Sequence, residues 1–229
     1  MATTMRHPSI HVLRAASRLA FAAVACATIL VADVRAQSTA DSGPSRWRIG
    51  AATGAYVPFS ALIRAADADD THLRAGPAFS LESQYQVLDP ISLYANGLVA
   101  FGTIRLGSSI RPAVVGPSDQ VMLMGGTAGV MLAPDGWLGP HVQPTLRLGG
   151  GVKWYSFDLT DAESRIRPTA DIGIGFRGVG IGAIEVMAEV RYLPSSFDQG
   201  MLPTRGIAVQ DQHQNDIAFS IGVAIRRPG

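Results

Sequence analysis

Charged side chains recur at alternate positions within apolar stretches of this sequence. Glu189 and Arg191 have the same parity in one stretch, and Arg147 and Lys153 in another. Alternate residues of a β-strand point to the same face, so acids and bases from different strands could meet. Such a set could perform acid–base chemistry, line a polar pore, or form internal ion pairs. Its members are Glu82, Arg147, Lys153, Asp171, Arg177, Glu185, Glu189, Arg191 and Asp216.

His141 is the one histidine that the alternation places on the inward face of a strand. A histidine, a serine and a carboxylate could form a lipid-hydrolysing site, with the histidine as base. No serine lies near His141 on the same face, so a polar interior histidine is the better interpretation. We therefore predict no catalytic residue and no enzymatic activity.

Two segments between strands are rich in carboxylates and histidine: Asp67, Asp69, Asp70 and His72, then Asp211, His213 and Asp216. Such clusters can hold Ca²⁺ or bridge lipopolysaccharide through divalent ions, but neither matches a known loop motif, so no metal site is predicted. The GxGxxG of residues 173–178 lies within a strand that another strand follows, whereas a dinucleotide site needs a strand followed by a helix. No cofactor is predicted.

The elements that must position these charges are eight alternating stretches. They are residues 48–59, 77–87, 91–106, 120–132, 140–157, 167–177, 183–193 and 216–226. Each exceeds the average globular strand of ~5–6 residues and is long enough to cross a bilayer with ~9–11 tilted residues. The assigned apolar faces carry no charge, as lipid contact requires. The sequence therefore predicts an all-β fold, an eight-stranded antiparallel up-and-down transmembrane β-barrel.

The connections between these stretches alternate between long (60–76, 107–119, 158–166, 194–215) and short (88–90, 133–139, 178–182). Outer-membrane barrels have short periplasmic turns and longer outer loops, so the long connections are expected to face outward. Aromatic residues then form two girdles at the membrane interfaces. Phe59, Phe79, Phe101, Trp154 and Tyr192 lie near the outer ends, and Trp47, Tyr85, Trp137 and Phe176 near the periplasmic ends.

Residues 1–36 have the features of a cleaved signal peptide. Arginines precede the fourteen-residue uncharged stretch from Leu19 to Ala32, and Val34-Arg35-Ala36 offers a cleavage site. We predict a linker over residues 37–46 and a barrel domain over 47–229. Cleavage would remove four of the nineteen basic and one of the eighteen acidic residues, which leaves a net charge of −2 and no cysteine. A basic patch that would bind nucleic acid is not evident.

From Trp47 to Arg226 the pattern resembles the small eight-stranded outer-membrane barrel family, the OmpA/OmpX-like "outer membrane protein beta-barrel" domains. The last stretch, Asp216–Ile225, is similar to the terminal strand that barrel-assembly machinery reads. The resemblance implies a cell outer-membrane location, contact with outer-membrane lipid and lipopolysaccharide, and assembly by that machinery.

The inward charges are expected to pair, because the desolvation free energy of a buried, unpaired charge is on the order of several kcal/mol. Neighbours at similar depth would be Lys153 with Asp171, Arg177 with Glu185, and Arg191 with Asp216. Arg147 would reach Glu82 or Glu189 across the lumen.

The sequence thus favours a non-enzymatic outer-membrane barrel with a mostly filled, salt-bridged lumen. Its role would be in envelope structure or in binding a surface ligand through the outer loops. Two alternatives stay open. One is a narrow passive pore, and the other is an exported soluble lipocalin-like barrel that binds a small apolar ligand.

Overall fold

The structure, a computed structural model, describes residues 46–63, 70–105, 119–134, 141–157, 164–179, 184–197 and 212–226. Eight long strands in these residues follow the predicted stretches closely. They are β1 (Trp47–Pro58), β4 (Gly76–Leu88), β5 (Ile91–Arg105), β6 (Gln120–Leu132), β7 (Val142–Phe157), β8 (Arg165–Val179), β9 (Ile184–Tyr192) and β12 (Asp216–Arg226). The predicted leader (1–36), all of the linker (37–46) except Arg46, and Trp137 lie outside the described residues.

The long strands close into a barrel of antiparallel neighbours. The hydrogen-bonded order is β1–β4–β5–β6–β7–β8–β9–β12, and β12 pairs back onto β1 from Arg48–Arg226 to Pro58–Asp216. Each long strand pairs with the next long strand along the chain, which is the up-and-down topology. The predicted fold class is confirmed. No helix in the described part of the chain is long and apolar enough to cross a membrane.

Four short strands, which the sequence analysis missed, extend one end of the barrel. They are β2 (Ala61–Ile63), β3 (Thr71–Leu73), β10 (Ser195–Phe197) and β11 (Gln212–Gln214). They lie within two of the predicted long connections, and we call this end of the barrel the outer end. β3 pairs with the last residues of β5, and β10 pairs with β11 and β8. Three residues are too few for an alternating pattern to be recognised.

The outside of the barrel is apolar, and many of its large hydrophobic side chains are exposed. Along β7, for example, Leu146, Leu148 and Val152 point outward while Arg147 and Lys153 are buried. A water-soluble protein rarely exposes so large a continuous apolar surface. This exterior is suited to lipid.

The lumen has two chemically different halves. Towards the outer end, inward positions are filled by a cluster of buried apolar and aromatic side chains, which includes Leu62, Leu98, Leu123, Leu193 and Tyr155. The charged residues lie mainly in the remaining part. The sequence analysis predicted a lumen filled mostly by ion pairs and did not identify this apolar cluster. The short strands β2 and β3 supply Leu62 and Leu73 to this cluster, and both side chains are buried.

Candidate functional site: the lumen charge network

Arg147 on β7 is the centre of the ion-pair network inside the barrel. Its side chain is 1% exposed, and its Nη1 lies 2.6 Å from Oε2 of Glu189 on β9. Its Nη2 pairs with Glu82 on β4, and its Nε lies 3.9 Å from Oδ2 of Asp171. The guanidinium carbon stacks over the ring of Tyr94, 4.0 Å from the ring centroid. One side chain therefore joins three acids from three other strands.

Asp171 on β8 is fully buried and is the acid with the most partners. Arg191 donates to both of its carboxylate oxygens, at 3.1 Å from Nε and 2.6 Å from Nη2. Tyr94 Oη donates to it at 3.0 Å and Thr127 Oγ1 at 2.7 Å. Arg191 Nη1 also donates to Oδ1 of Asn96, at 2.6 Å. Two-point Arg–carboxylate contact fixes geometry as well as charge, so Asp171 locks four strands together.

Arg177 and Glu185 lie at the opposite end of the network, which the loop lengths predict to be the periplasmic end. Arg177 Nε is 3.4 Å from Oε2 of Glu185, and Arg48 Nε is 3.5 Å from the same oxygen. Arg177 Nη2 also donates to Oε1 of Gln84, at 2.6 Å. Arg48 and Arg177 therefore share one acid, Glu185, at this end of the network.

Lys153 and Asp216 form a separate buried pair near the outer end. Lys153 Nζ lies 2.6 Å from Oδ2 of Asp216, and it also donates to the Leu193 carbonyl oxygen. Tyr56 donates its hydroxyl to the same Asp216 oxygen, which Tyr155 approaches at 3.4 Å. The pair links β7 to β12 across the lumen and lies within the apolar cluster, because Tyr56 and Tyr155 belong to that cluster and both contact Asp216.

All nine predicted charges lie in the lumen, but two of the predicted pairings are wrong. Asp171 pairs with Arg191, not with Lys153, and Asp216 pairs with Lys153, not with Arg191. The strand register gives the reason. Asp171 is opposite Gly149 on β7, four residues from Lys153, which amounts to about 13 Å along the strand. Arg191 is opposite Gly173 on β8, only two residues from Asp171.

Several polar partners in the network were not singled out from the sequence. Tyr56, Asn96, Thr127 and Tyr155 all lie on inward positions and hydrogen-bond to the charged residues. The inward position of Tyr155 could have been predicted, because it follows the inward Lys153 by two residues and so points to the same face. For Thr127 no signal existed, since both faces of β6 are apolar or glycine in the sequence.

Gly173 makes room for the two arginines of the network. It lies between Arg147 and Arg191 in the register of β7, β8 and β9. A Cβ atom at Gly173 would lie 2.8 Å from Cγ of Arg147, 2.7 Å from its Cδ and 3.1 Å from Cγ of Arg191. Both arginine stems therefore pass directly over this residue.

We expect Gly173→Val to destabilise the folded barrel by about 1–3 kcal/mol, the range for overpacking a core. The new side chain would clash with the Cγ and Cδ atoms of Arg147 and with Cγ of Arg191. Both arginine side chains would have to move, and their guanidinium groups would then lose contact with the acids. Gly97→Val is the matched control, because a Cβ there has no neighbour within 4 Å. Urea unfolding in lipid vesicles measures both variants. Equal midpoints for the two would contradict the packing role of Gly173.

The space left between these side chains is small. Two internal cavities each leave about 10 Å³ for a water molecule's centre, one beside Asn96, Thr127 and Lys153, the other beside Glu82 and Met131. A cavity needs about 10–15 Å³ on this measure to hold one water. Each of these two cavities is therefore at the lower limit for holding one water molecule.

The described girdle residues lie at the barrel's two rims. Trp47 and Tyr85 are opposite each other at the periplasmic end, with ring centroids 5.0 Å apart, and Phe176 lies at the same end. Phe59, Phe79, Phe101, Trp154 and Tyr192 lie towards the outer end, together with exposed Phe219, which the sequence analysis did not place in the girdle.

His141 differs from its predicted position. It is an exposed turn residue directly before β7, not an inward residue of a strand. The predicted strand began at residue 140, whereas β7 begins at Val142. The alternation of faces therefore does not apply to His141. Among the described residues no group of three His, Cys, Asp or Glu side chains could hold a metal ion. Asp67, Asp69 and Asp211 lie outside the described residues.

Comparison of the sequence with protein-family models and with curated proteins finds no match. Comparison with solved structures does. Neisserial surface protein A is 14% identical, with a TM-score of 0.52 over 81% of this chain and 99% of that chain. The outer membrane protein OprG from Pseudomonas aeruginosa is 11% identical, with a TM-score of 0.55 over 81% and 99%. The outer membrane protein AlkL, solved in DMPC lipid bilayers, is 13% identical, with a TM-score of 0.52 over 84% and 95%.

This chain has the fold of the small outer-membrane β-barrels. At these low identities the likeness concerns the fold alone. The evidence for the location is the surface chemistry of this chain. Exposed apolar side chains cover the outside, and ionised ones are buried inside. A lipocalin-like barrel would need the reverse orientation. The predicted outer-membrane location is therefore confirmed, and the soluble alternative is not supported.

Proposed function

We propose that the protein is a non-enzymatic, integral outer-membrane barrel whose lumen is closed to ions. Its role is in envelope structure or in binding a surface ligand through the outer end. The proposal includes a signal peptide over residues 1–36 and a linker over 37–46. It also includes insertion by barrel-assembly machinery and contact with lipopolysaccharide.

The observation that carries this proposal is the crossing of the lumen by Arg147. The side chain starts on β7 and contacts acids on β4, β8 and β9. An eight-stranded barrel has an interior just wide enough for side chains to fill. With the apolar cluster above it, the network supports a lumen without a continuous water path. Such a barrel would act through its outer end and its exterior.

Conductance across a planar lipid bilayer tests the closed lumen. We expect the inserted wild-type protein to give no stepwise current, because ions would have to displace buried ion pairs. Val99→Ala is the control, since its outward position leaves the lumen unchanged. Regular current steps from correctly folded wild-type protein would contradict the proposal and favour the narrow pore. Heat-modified migration on gels confirms that each sample is folded.

A further inference from the structure

Three arginines lie at the predicted periplasmic mouth of the lumen, where the long strands β1, β8 and β12 begin or end. Arg48 on β1 is directly opposite Arg226, the last residue of β12. Arg177 lies near the end of β8, and its Nε and that of Arg48 lie 3.4 and 3.5 Å from the same oxygen of Glu185. We call Arg48, Arg177 and Arg226 the arginine cluster.

All three members of the arginine cluster occupy inward positions of their strands. Arg48 has the same parity as buried Ala52, and Arg226 the same parity as buried Ala224. Residues directly opposite each other on paired strands project side by side from one face. The Arg48 side chain is 11% exposed and Arg177 is buried, whereas Arg226 is exposed at the end of its strand. One guanidinium group therefore lies at the entrance and two lie behind it.

The carboxylates at this end do not balance the arginines. Glu185 is shared by two members of the cluster, and Asp89, in the turn after β4, accepts a hydrogen bond from the side chain of Gln86. Arg46, directly before β1, adds a further exposed guanidinium group. Within the described ranges Arg226 has no ion pair. Like charges directly opposite each other destabilise a strand pair, and an anion bound between them would offset that repulsion.

Buried N–H groups of the cluster provide a second, independent indication of an anion. Nε of Arg48 and both Nε and Nη1 of Arg177 are buried and make no hydrogen bond with the described residues. The nearby Glu185 oxygen is also without a hydrogen bond, so its contact with the two arginines is ionic only. Buried polar groups are nearly always hydrogen-bonded. Nη2 of Arg177 donates to Gln84, which fixes the guanidinium group and leaves Nη1 available.

We propose that the arginine cluster binds a small, soluble oxyanion of carboxylate or phosphate type that carries at least two negative charges. Guanidinium groups present paired N–H donors that match two oxygens of either group. An eight-stranded barrel has a narrow interior, so only a small ligand can reach the two buried arginines. The proposed function places recognition at the outer end. This inference goes beyond it, because it assigns a separate binding site to the opposite end.

Isothermal titration calorimetry of the full chain, refolded in a nonionic detergent, tests the proposal. Citrate is the carboxylate probe and pyrophosphate the phosphate probe, each at an ionic strength held constant with sodium chloride. The test variant is Arg226→Gln, because Arg226 is exposed and its loss leaves the buried ion pairs intact. The control is Arg105→Gln, which removes an exposed arginine at the outer end and gives the same net charge. We expect Arg226→Gln to bind at least about tenfold more weakly, the effect of losing one charged hydrogen bond, and the control to match wild type.

Binding of either probe with this pattern supports the proposal, and the tighter probe identifies the type of oxyanion. The absence of binding heat with both probes would overturn it, as would equal affinities of wild type and Arg226→Gln. An equal loss of affinity in Arg105→Gln would also overturn it, because net charge would then explain the binding. Heat-modified migration on gels verifies that each sample is folded. Conductance of the wild type is scored separately, so the closed lumen and the oxyanion site can fail independently.

Discussion

Replacing Arg147 with Met is expected to lower the free energy of unfolding by about 3–5 kcal/mol, the cost of breaking a buried ion pair from one side. The substitution keeps much of the side-chain volume but leaves Glu82 and Glu189 in the lumen without their shared cation. Glu82 keeps neutral partners in Gln84 and Asn96, and these do not offset its charge. Urea unfolding in lipid vesicles, followed by tryptophan fluorescence, measures the change.

A variant with the matching acids removed separates charge from packing. In Arg147→Met/Glu82→Gln/Glu189→Gln the uncompensated charges are gone, so we expect recovery of more than half of the lost stability. A buried ion pair replaced by neutral groups of similar volume is often close to neutral in stability. If the single variant unfolds at the wild-type urea concentration, Arg147 does not hold the network together.

Replacing Leu148 with Arg is expected to destabilise the inserted barrel by about 2–4 kcal/mol, the cost of an arginine at mid-depth on the lipid face. Leu148 is 64% exposed and lies near the middle of β7. In a water-soluble protein the same change at so exposed a position would alter stability by only about 0.5 kcal/mol. The result therefore tests whether the exterior contacts lipid.

The control for this prediction is Ile166→Arg. Ile166 is 67% exposed but is the second residue of β8, at the outer end. Near the interface an arginine costs only about 0–1 kcal/mol, so the two variants should differ clearly in vesicles. Folding yield in vesicles and the unfolding midpoint both report the difference. Equal effects at the two depths would be incompatible with a bilayer around the barrel.

Alternation of residue types along the long strands was enough to predict the barrel. In β7 and β9 all charged residues fall on one set of alternate positions and the other set is mainly apolar, so the two faces can be assigned without a structure. The strand bounds from the sequence differ from the observed ones by a few residues at most. β6 was ambiguous, because a run of Gly, Ala and Met has no polar face. Its inward side is decided by its pairing with β5 and β7.

The charge partners could not be predicted in the same way. Lys153 pairs with Asp216, sixty-three residues away along the chain and on a strand that is not its neighbour. That contact depends on the depth of each side chain and on the narrowness of the lumen, which the register and closure of the barrel set together. The pairing of His72 with Arg105 has the same origin, since these residues face each other only because the short strand β3 extends the sheet.

The sequence by itself determined the eight long strands, their topology and, except in β6, most of the residues that face inward, because alternation is a local property of each strand. Tertiary structure alone decided which acid meets which base, that an apolar cluster lies in the outer half of the lumen, and that four short strands extend the wall. These features arise between residues far apart in the chain. They follow from strand register and from the close approach of side chains inside a narrow closed barrel.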